Sequence, residues 1–257
     1  MHRFYLPQVE CTPPTLTLGG REAHHALHVL RVRTGETVTV LDGAGGEFTC
    51  KVSSTLRDSL TLHVEQQRTI DPLPCAITLV QAIPKGKIIE SIIQKATELG
   101  AARIISLLSE RVVTQLDGDS AANKAEKWQQ VAVEAIKQSG NAWLPKVEAP
   151  ATPKSLLARG EQAELFLIGS LRTDARHPRE QIDAFVQQHG RAPRTLCIWV
   201  GPEGDFTPAE LDAAQAAGAL PIHLGRLVLR SETAATYCLA VLNYEMQWLA
   251  TEAGNRR

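Results

Sequence analysis

The 257-residue chain is 44% hydrophobic and 21% charged, which is the composition of an ordinary globular protein. Its formal net charge of −1 gives no overall basic signature for nucleic acid, although a local basic patch would not alter this total. No apolar run approaches the ~20 residues of a membrane span, and no signal-peptide pattern opens the chain. Five widely spaced cysteines without a CxxC pair favour reduced thiols in a cytoplasmic protein over disulfides or a metal site.

Residues 1–70 have the pattern of a small β-rich module. Thr37–Leu41 is β-branched and ends at a glycine-rich turn, and Phe48–Ser53 and Leu60–Val64 continue the strand character. A helix from Glu22 to Arg31 interrupts the strands and presents an apolar face. The pattern predicts a barrel-like domain.

Histidines are concentrated in this module. His24 and His28 stand four residues apart, as two metal ligands on one helix would, but no HExxH pattern accompanies them, so we expect no metal. A basic surface is the more plausible reading, with an ordinary solvated surface as the alternative. That basic surface would comprise Arg3, His25, Arg31 and Arg33.

The proline-rich stretch 71–74 reads as a linker, and residues 75–257 then alternate strands with helices. This alternation predicts an α/β domain with a parallel sheet and helices on both faces. The expected strands are Ala76–Ala82, Arg103–Leu108, Leu165–Ile168, Thr195–Val200 and Leu220–Leu224, and the expected helices include 88–99, 121–139 and 178–188.

Two glycine-bearing loops follow the last two strands. The first is Gly201-Pro202-Glu203-Gly204 and the second begins at Gly225. Strand-end loops that lead into helix N-termini suit a small polar ligand at the carboxyl edge of a parallel sheet. Neither loop has a GxGxxG or GxxxxGK[ST] pattern, so a ligand would be held by backbone groups and apolar walls. The alternative is a pair of ordinary turns.

The last predicted helix, from about residue 231, is apolar on nearly every side. Such a helix must be covered on more than one face. Either the same chain buries it, or a second subunit does, and we favour a homodimer through this helix.

Several motifs, taken in their order along the chain, resemble those of the bacterial ribosomal RNA small subunit methyltransferase E family of the SPOUT superfamily. The resemblance spans nearly the whole chain. It rests on His24-His25, on Gln94–Gly100, on Ser109-Glu110-Arg111, on Gln138-Ser139-Gly140, on Gly201–Gly204 and on Leu224–Ala234.

The resemblance implies a PUA-like β-barrel over residues 1–70, for RNA binding. Over 75–257 it implies a SPOUT methyltransferase domain whose parallel sheet carries a trefoil knot and flanking helices. It further implies S-adenosylmethionine as methyl donor, a homodimer, and methylation at N3 of one uridine near the 3′ end of 16S rRNA in the assembled 30S subunit.

By the same resemblance, three loops would hold the cofactor. The implied cofactor-binding residues are Ile168, Gly169, Ser170, Leu171, Val200, Gly201, Pro202, Glu203, Gly204, Leu224, Gly225, Leu227, Val228 and Leu229.

The catalytic candidates are Arg230, Glu203 and Glu232. Arg230 would stabilise negative charge that develops on the uracil ring, unless it only pairs with Glu232 or contacts a phosphate. Glu203 and Glu232 are weak candidates for the general base, and Glu203 could instead serve only as a helix N-terminal charge.

Basic residues of both domains are candidates for RNA contact. Besides the surface on the N-terminal module, the proposed phosphate contacts are Lys85, Lys87 and Arg111. Asn141 stands near where the family usually has an arginine, and Asp205 stands where it usually has a second glycine. The first departure motivates one alternative, a non-catalytic RNA-binding or ribosome-assembly factor. A methyltransferase that acts on another RNA is a further alternative.

Overall fold

The computed structural model describes residues 1–86, 88–111 and 118–255. These residues form two compact units. The first comprises Met1–Pro72 and Val133–Leu144, and the second comprises Leu73–Ala132 and Pro145–Arg257. A short stretch from the middle of the chain thus belongs to the N-terminal unit, which a linear division at residues 71–74 does not anticipate.

The first unit is built on one five-stranded sheet. Its strands are β1 (His2–Tyr5), β2 (Thr15–Leu18), β3 (Thr37–Leu41), β4 (Gly46–Thr55) and β5 (Leu60–Thr69), in the order β1-β3-β4-β5-β2. β1 pairs with β3 in parallel, and the other pairs are antiparallel. Two register shifts between the long strands β4 and β5 bend the sheet around a core that includes Phe4, Leu16 and Leu60.

The helix of this unit differs from the prediction. Only α1 (Gly20–His24) is α-helical, and the chain continues as a π-helical turn over His25–Val29. The Leu30 N–H donates to the His25 carbonyl at 3.0 Å, one residue beyond the α-helical spacing. Arg31 then takes a left-handed conformation, with φ 56°, and ends the turn.

The second unit contains a six-stranded sheet in which every pair is parallel, which confirms the predicted class. The strand order is β11-β9-β10-β6-β7-β8. The strands are β6 (Ala76–Ala82), β7 (Arg103–Leu107), β8 (Lys146–Ala151), β9 (Leu165–Gly169), β10 (Thr195–Val200) and β11 (Leu220–Ile222). The helices are α2 (Ile88–Glu98), α3 (Gly118–Ser139), α4 (Pro153–Leu157), α5 (Pro178–His189), α6 (Pro208–Ala216) and α7 (Ser231–Asn255).

The C-terminal end of α3 belongs to the first unit. The Arg3 guanidinium donates to the carbonyls of Lys137 and Gln138 at 3.3 and 3.1 Å, and so satisfies two groups that a helix end leaves free. The buried ammonium of Lys137 binds Glu22 at 2.8 Å and Glu134 at 3.0 Å. Arg3 thus has a structural role inside the unit.

Helix α7 has two different faces. Cys238, Leu239, Leu242 and Met246 are buried on the side that packs against α2, β6 and β10. The opposite side leaves large apolar residues exposed. These are Tyr237, Tyr244 and Trp248, with 43%, 71% and 52% of their surfaces accessible. Burial within the chain therefore accounts for one face of this apolar helix and not for the other.

Among the described residues, no helix combines the length and the apolar character needed to cross a bilayer.

Candidate cofactor-binding site

Three loops meet at the carboxyl edge of the parallel sheet. They follow β9, β10 and β11, which are neighbours in the order β11-β9-β10. Because the three strands are parallel, their C-terminal ends lie side by side, and the loops enclose one pocket of about 350 Å³. Trp199 precedes the pocket residue Val200 on β10 and packs in the core against Phe166 and Phe206, with ring centroids 5.5 and 6.1 Å apart.

The pocket wall contains most of the residues that the sequence assigned to cofactor binding. Ile168 is fully buried in the core below the pocket, and Gly204 lies outside the wall, where its carbonyl accepts a hydrogen bond from the Arg111 guanidinium. The assigned residues that line the pocket are Gly169, Ser170, Leu171, Val200, Gly201, Pro202, Glu203, Leu224, Gly225, Leu227, Val228 and Leu229.

Glycine is required at Gly225, whose φ of 103° lies in the region that side chains disfavour. At Gly201 the reason is space instead. A Cβ there would lie 3.2 Å from an Asp205 carboxylate oxygen and 3.4 Å from Phe206. The two glycines therefore bring the backbone to the pocket for different reasons.

A buried chain of hydrogen bonds ties the pocket loops to the sheet. The Ser231 hydroxyl donates to the Gly201 carbonyl at 2.7 Å and accepts from the Gln81 side-chain amide at 2.8 Å. Gln81 is fully buried on β6, and its amide also donates to the Ala82 carbonyl at 2.8 Å. The start of α7, the loop after β10 and the central strand are thus held in one arrangement.

Asp205 connects two of the three loops. Its carboxylate accepts from the Phe206 N–H at 2.8 Å and from the Leu171 N–H at 3.4 Å, across to the loop after β9. It is partly buried, lines the pocket, and has φ 61°. Asp is one of the few residues with a side chain that tolerates this conformation.

The loop after β10 is anchored on its other side by a helix cap. Thr207 caps α6 and forms a capping box with Glu210. The buried Glu210 carboxylate also accepts from the Ser109 hydroxyl at 3.2 Å and from the Glu110 N–H at 2.9 Å. One carboxylate therefore joins the start of α6 to the loop that follows β7.

The three catalytic candidates lie in different settings. Glu203 is exposed on the pocket wall, and its carboxylate accepts from the Lys85 N–H at 3.1 Å. Arg230 is exposed and Glu232 is half-buried, and both flank the pocket at the start of α7 without lining it.

Charged and titratable groups that the sequence did not single out also reach the pocket. Arg172 forms an ion pair with Asp212 at 2.7 Å, and this hydrogen bond raises the pKa of the guanidinium. His223 accepts from the Gly225 N–H at 3.3 Å and lies edge-on to His177. Arg226 lies within the third loop that the resemblance placed against the cofactor. The wall residues that sequence reasoning did not assign to the cofactor are Arg172, Asp205, His223, Ser231 and Ala234.

The proposed RNA-contacting residues are distributed over both units. In the first unit Arg31 and Arg33 are exposed, whereas His25 is partly buried against Phe4 and Arg3 caps α3. In the second unit Lys85 and Arg111 are exposed, and Lys87 lies outside the described residues.

The His24 and His28 rings approach each other, with centroids 4.8 Å apart. Within the described part of the chain, no three His, Cys, Asp or Glu side chains are arranged to hold a metal ion.

Comparison with known proteins gives full-length matches. Residues 71–243 match the RNA methyltransferase domain family, and residues 18–65 match the RNA methyltransferase PUA domain family. The ribosomal RNA small subunit methyltransferase E of Synechocystis sp. is 33% identical over 94% of this chain and 77% of its own length. The protein of the same name from Bacillus subtilis is 30% identical over 97% of this chain and 98% of its own length.

Solved structures agree with these matches. The ribosomal RNA small subunit methyltransferase E of Neisseria gonorrhoeae, bound to S-adenosyl methionine, superposes with a TM-score of 0.82 at 29% identity, over 95% of this chain and 98% of that one. A SAM-bound structure from Legionella pneumophila gives a TM-score of 0.84 at 30% identity, over 95% of this chain and 97% of that one. The chain therefore belongs to the ribosomal RNA small subunit methyltransferase E family.

Proposed function

We propose that the protein is an S-adenosylmethionine-dependent methyltransferase that acts on small-subunit ribosomal RNA. Its target would be N3 of one uridine near the 3′ end of 16S rRNA, in the assembled 30S subunit in the cytoplasm. The observation that carries this proposal is the pocket itself, in which three strand-end loops present bare backbone and apolar side chains to one ligand-sized space. Family membership and the SAM-bound relatives support it.

The composition of the pocket suits this cofactor. Leu224 and Val228 offer apolar walls for a flat adenine ring, and the glycines at positions 169, 201 and 225 let polar ligand groups approach backbone N–H and carbonyl groups. Asp205 places a carboxylate beside a ligand that carries positive charge. When bound, S-adenosylmethionine supplies an activated methyl group on its sulfonium.

The protein would then contribute alignment and charge stabilisation. Because the methyl donor is intrinsically reactive, much of the rate enhancement can come from holding the uracil N3 in line with the methyl carbon. Uracil N3–H must lose its proton, and Arg230, beside the pocket, would stabilise the negative charge on the ring. Glu203 and Glu232 are the candidate proton acceptors, and Glu203 is the one that lines the pocket.

Basic side chains of both units would position the RNA. Arg31 and Arg33 offer exposed guanidinium groups on the first unit, and Lys85 and Arg111 are exposed near the loop after β10 in the second. Phosphate contacts fix register without reading sequence, so the shape of the ribosomal particle would select the target. Arg3, His25 and Lys87 complete the proposed RNA-binding set.

The active protein would be a homodimer through α7. Tyr237, Tyr244 and Trp248 recur at helical spacing on its exposed face, and this pattern is typical of a helix that packs against a partner. Sedimentation of the protein with Trp248→Glu tests this proposal. A shift from dimer to monomer supports the interface, and an unchanged dimer contradicts it.

Calorimetry with S-adenosylmethionine tests the pocket. Gly201→Trp should abolish binding, because its Cβ would already crowd Asp205 and Phe206 and the indole would fill the pocket. Ala184→Trp, on the exposed side of α5, adds the same side chain away from the pocket and should bind normally. Normal binding by Gly201→Trp would rule out this pocket as the cofactor site.

Methyl transfer to purified RNA tests the substrate. The enzyme, with labelled S-adenosylmethionine, is incubated in parallel with unmodified 30S particles, free 16S rRNA and tRNA. Transfer to 30S particles supports the proposal. Transfer to tRNA alone indicates a methyltransferase of another RNA, and binding to 30S particles without transfer to any substrate indicates a non-catalytic assembly factor.

A further inference from the structure

Asp205 brings a carboxylate to the pocket wall. A left-handed conformation in a residue with a side chain is uncommon, and such residues concentrate at ligand sites. Here the conformation turns the Asp205 side chain back over Gly201, so that a carboxylate oxygen lies 3.2 Å from where a Cβ on Gly201 would be. The carboxylate therefore covers the glycine backbone that forms part of the pocket wall.

The hydrogen bonds of this carboxylate orient it without neutralising it. Its donors are two backbone amides, from Phe206 and Leu171, and neither carries a charge. Asp205 is also partly buried, whereas Glu203, the other acid on the wall, is exposed. Partial burial strengthens the field of a charge, since less water screens it.

Two arginines also line the wall, and neither is positioned to cancel this charge fully. Arg172 is held by Asp212 at 2.7 Å, on the neighbouring helix α6, and Arg226 is exposed, where solvent screens its charge. A ligand in the pocket therefore meets a partly buried carboxylate from Asp205, a guanidinium that is already paired and a guanidinium that is exposed to solvent.

We propose that Asp205 is a specificity-determining residue that makes the pocket favour the positively charged sulfonium of S-adenosylmethionine over S-adenosylhomocysteine, the neutral thioether left after methyl transfer. The proposal rests on the proposed function, since it assumes that this pocket takes that cofactor. The two ligands share their adenosine and amino-acid groups and differ only in the methyl group and its positive charge. A fixed negative charge in the wall stabilises the first ligand alone, and so favours replacement of the used cofactor by a fresh S-adenosylmethionine.

The test is the ratio of two affinities. Calorimetry measures the Kd of each ligand for the wild-type protein and for Asp205→Asn, which keeps the shape and also tolerates the left-handed conformation. The substitution should lower the affinity for S-adenosylmethionine about tenfold relative to S-adenosylhomocysteine, the change expected from one unit charge in a partly buried site. Sinefungin, which carries an amine in place of the sulfonium methyl, should follow S-adenosylmethionine.

Local distortion of the pocket would weaken all three ligands alike and leave the ratio unchanged, and that result overturns the proposal. Asp183→Asn is the matched control, because it removes the same charge from an ion pair with Arg179 on α5, away from the pocket wall, and should leave the ratio unaltered.

A wild-type protein that binds neither ligand would refute the proposed function. Binding of both ligands with a ratio insensitive to Asp205 would refute this inference alone.

Discussion

Glu210 should contribute more to stability than other acids at helix starts. Its buried carboxylate accepts three hydrogen bonds, from the Thr207 N–H at 2.9 Å, the Ser109 hydroxyl at 3.2 Å and the Glu110 N–H at 2.9 Å. Replacing Glu210 with Ala leaves these three donors without their acceptor, at a residue of which only 6% of the surface is exposed. It also removes one half of the capping box of α6.

The magnitude follows from these contacts. A hydrogen bond to a charged acceptor contributes about 1.5–3 kcal/mol, and Glu210 accepts three of them, while Thr207 still caps α6 after the substitution. Water that enters the space left by the side chain will recover part of this, so we expect Glu210→Ala to lower the free energy of unfolding by about 3–4 kcal/mol. Glu210→Gln keeps one acceptor oxygen and should lose about half as much.

Urea unfolding followed by circular dichroism measures the effect, as a lower midpoint at an unchanged m-value. Glu180→Ala is the matched control, since Glu180 occupies the first turn of α5 and is exposed, and it should change stability by less than about 1 kcal/mol. The reasoning fails if Glu210→Ala is no more destabilising than this control.

Two further predictions concern charge and the cofactor loop. Burial alone would raise the pKa of Glu148, but hydrogen bonds from Arg103, Lys146 and Arg159 lower this pKa to about 2. The ionised Glu148 therefore stabilises the fold above about pH 4.5, and this contribution is lost as the pH falls toward 2. The unfolding free energies of wild type and Glu148→Gln, measured against pH, should therefore differ by about 1–2 kcal/mol near neutrality and converge in acid, and a difference independent of pH would contradict this ion-pair account. Ser231→Ala removes the hydroxyl that donates to the Gly201 carbonyl, and calorimetry should show S-adenosylmethionine binding weakened about five- to tenfold. Thr236→Ala removes a hydroxyl that is bonded within α7 and should leave binding unchanged. Equal effects of the two substitutions would show that the Ser231 contact does not shape the pocket.

Two buried strands of the second unit were predictable from their composition and their boundaries. Ala76–Ala82 and Thr195–Val200 are largely apolar runs between proline or glycine breaks, and the structure has strands over these same residues. Edge strands gave weaker signals. β8 is polar at alternate positions and contains Pro150, which sheets tolerate at an edge, and no pattern distinguished it from a loop.

In the site, the glycines predicted where the loops lie but not which charged side chains line the pocket. Glycines such as Gly201 and Gly225 indicate turns, and together with the family resemblance they predicted the pocket. His223 carries no signal in the sequence, and Asp205 stood out only as a departure from the usual glycine. Their placement on the wall depends on how three distant loops converge. The hydrogen bond between Gln81 and Ser231 joins residues 150 positions apart and likewise has no local signal.

The strand order has a consequence for how the chain emerges from translation. β6 lies in the middle of the parallel sheet, yet one of its partners, β10, is made much later, since Ala76 pairs with Thr195. Until then the nascent chain carries an apolar strand with an open edge, the kind of surface that invites aggregation. The sheet cannot be completed until β10 has been synthesised, so a chain truncated before β10 would lack a central strand of the sheet rather than an edge strand.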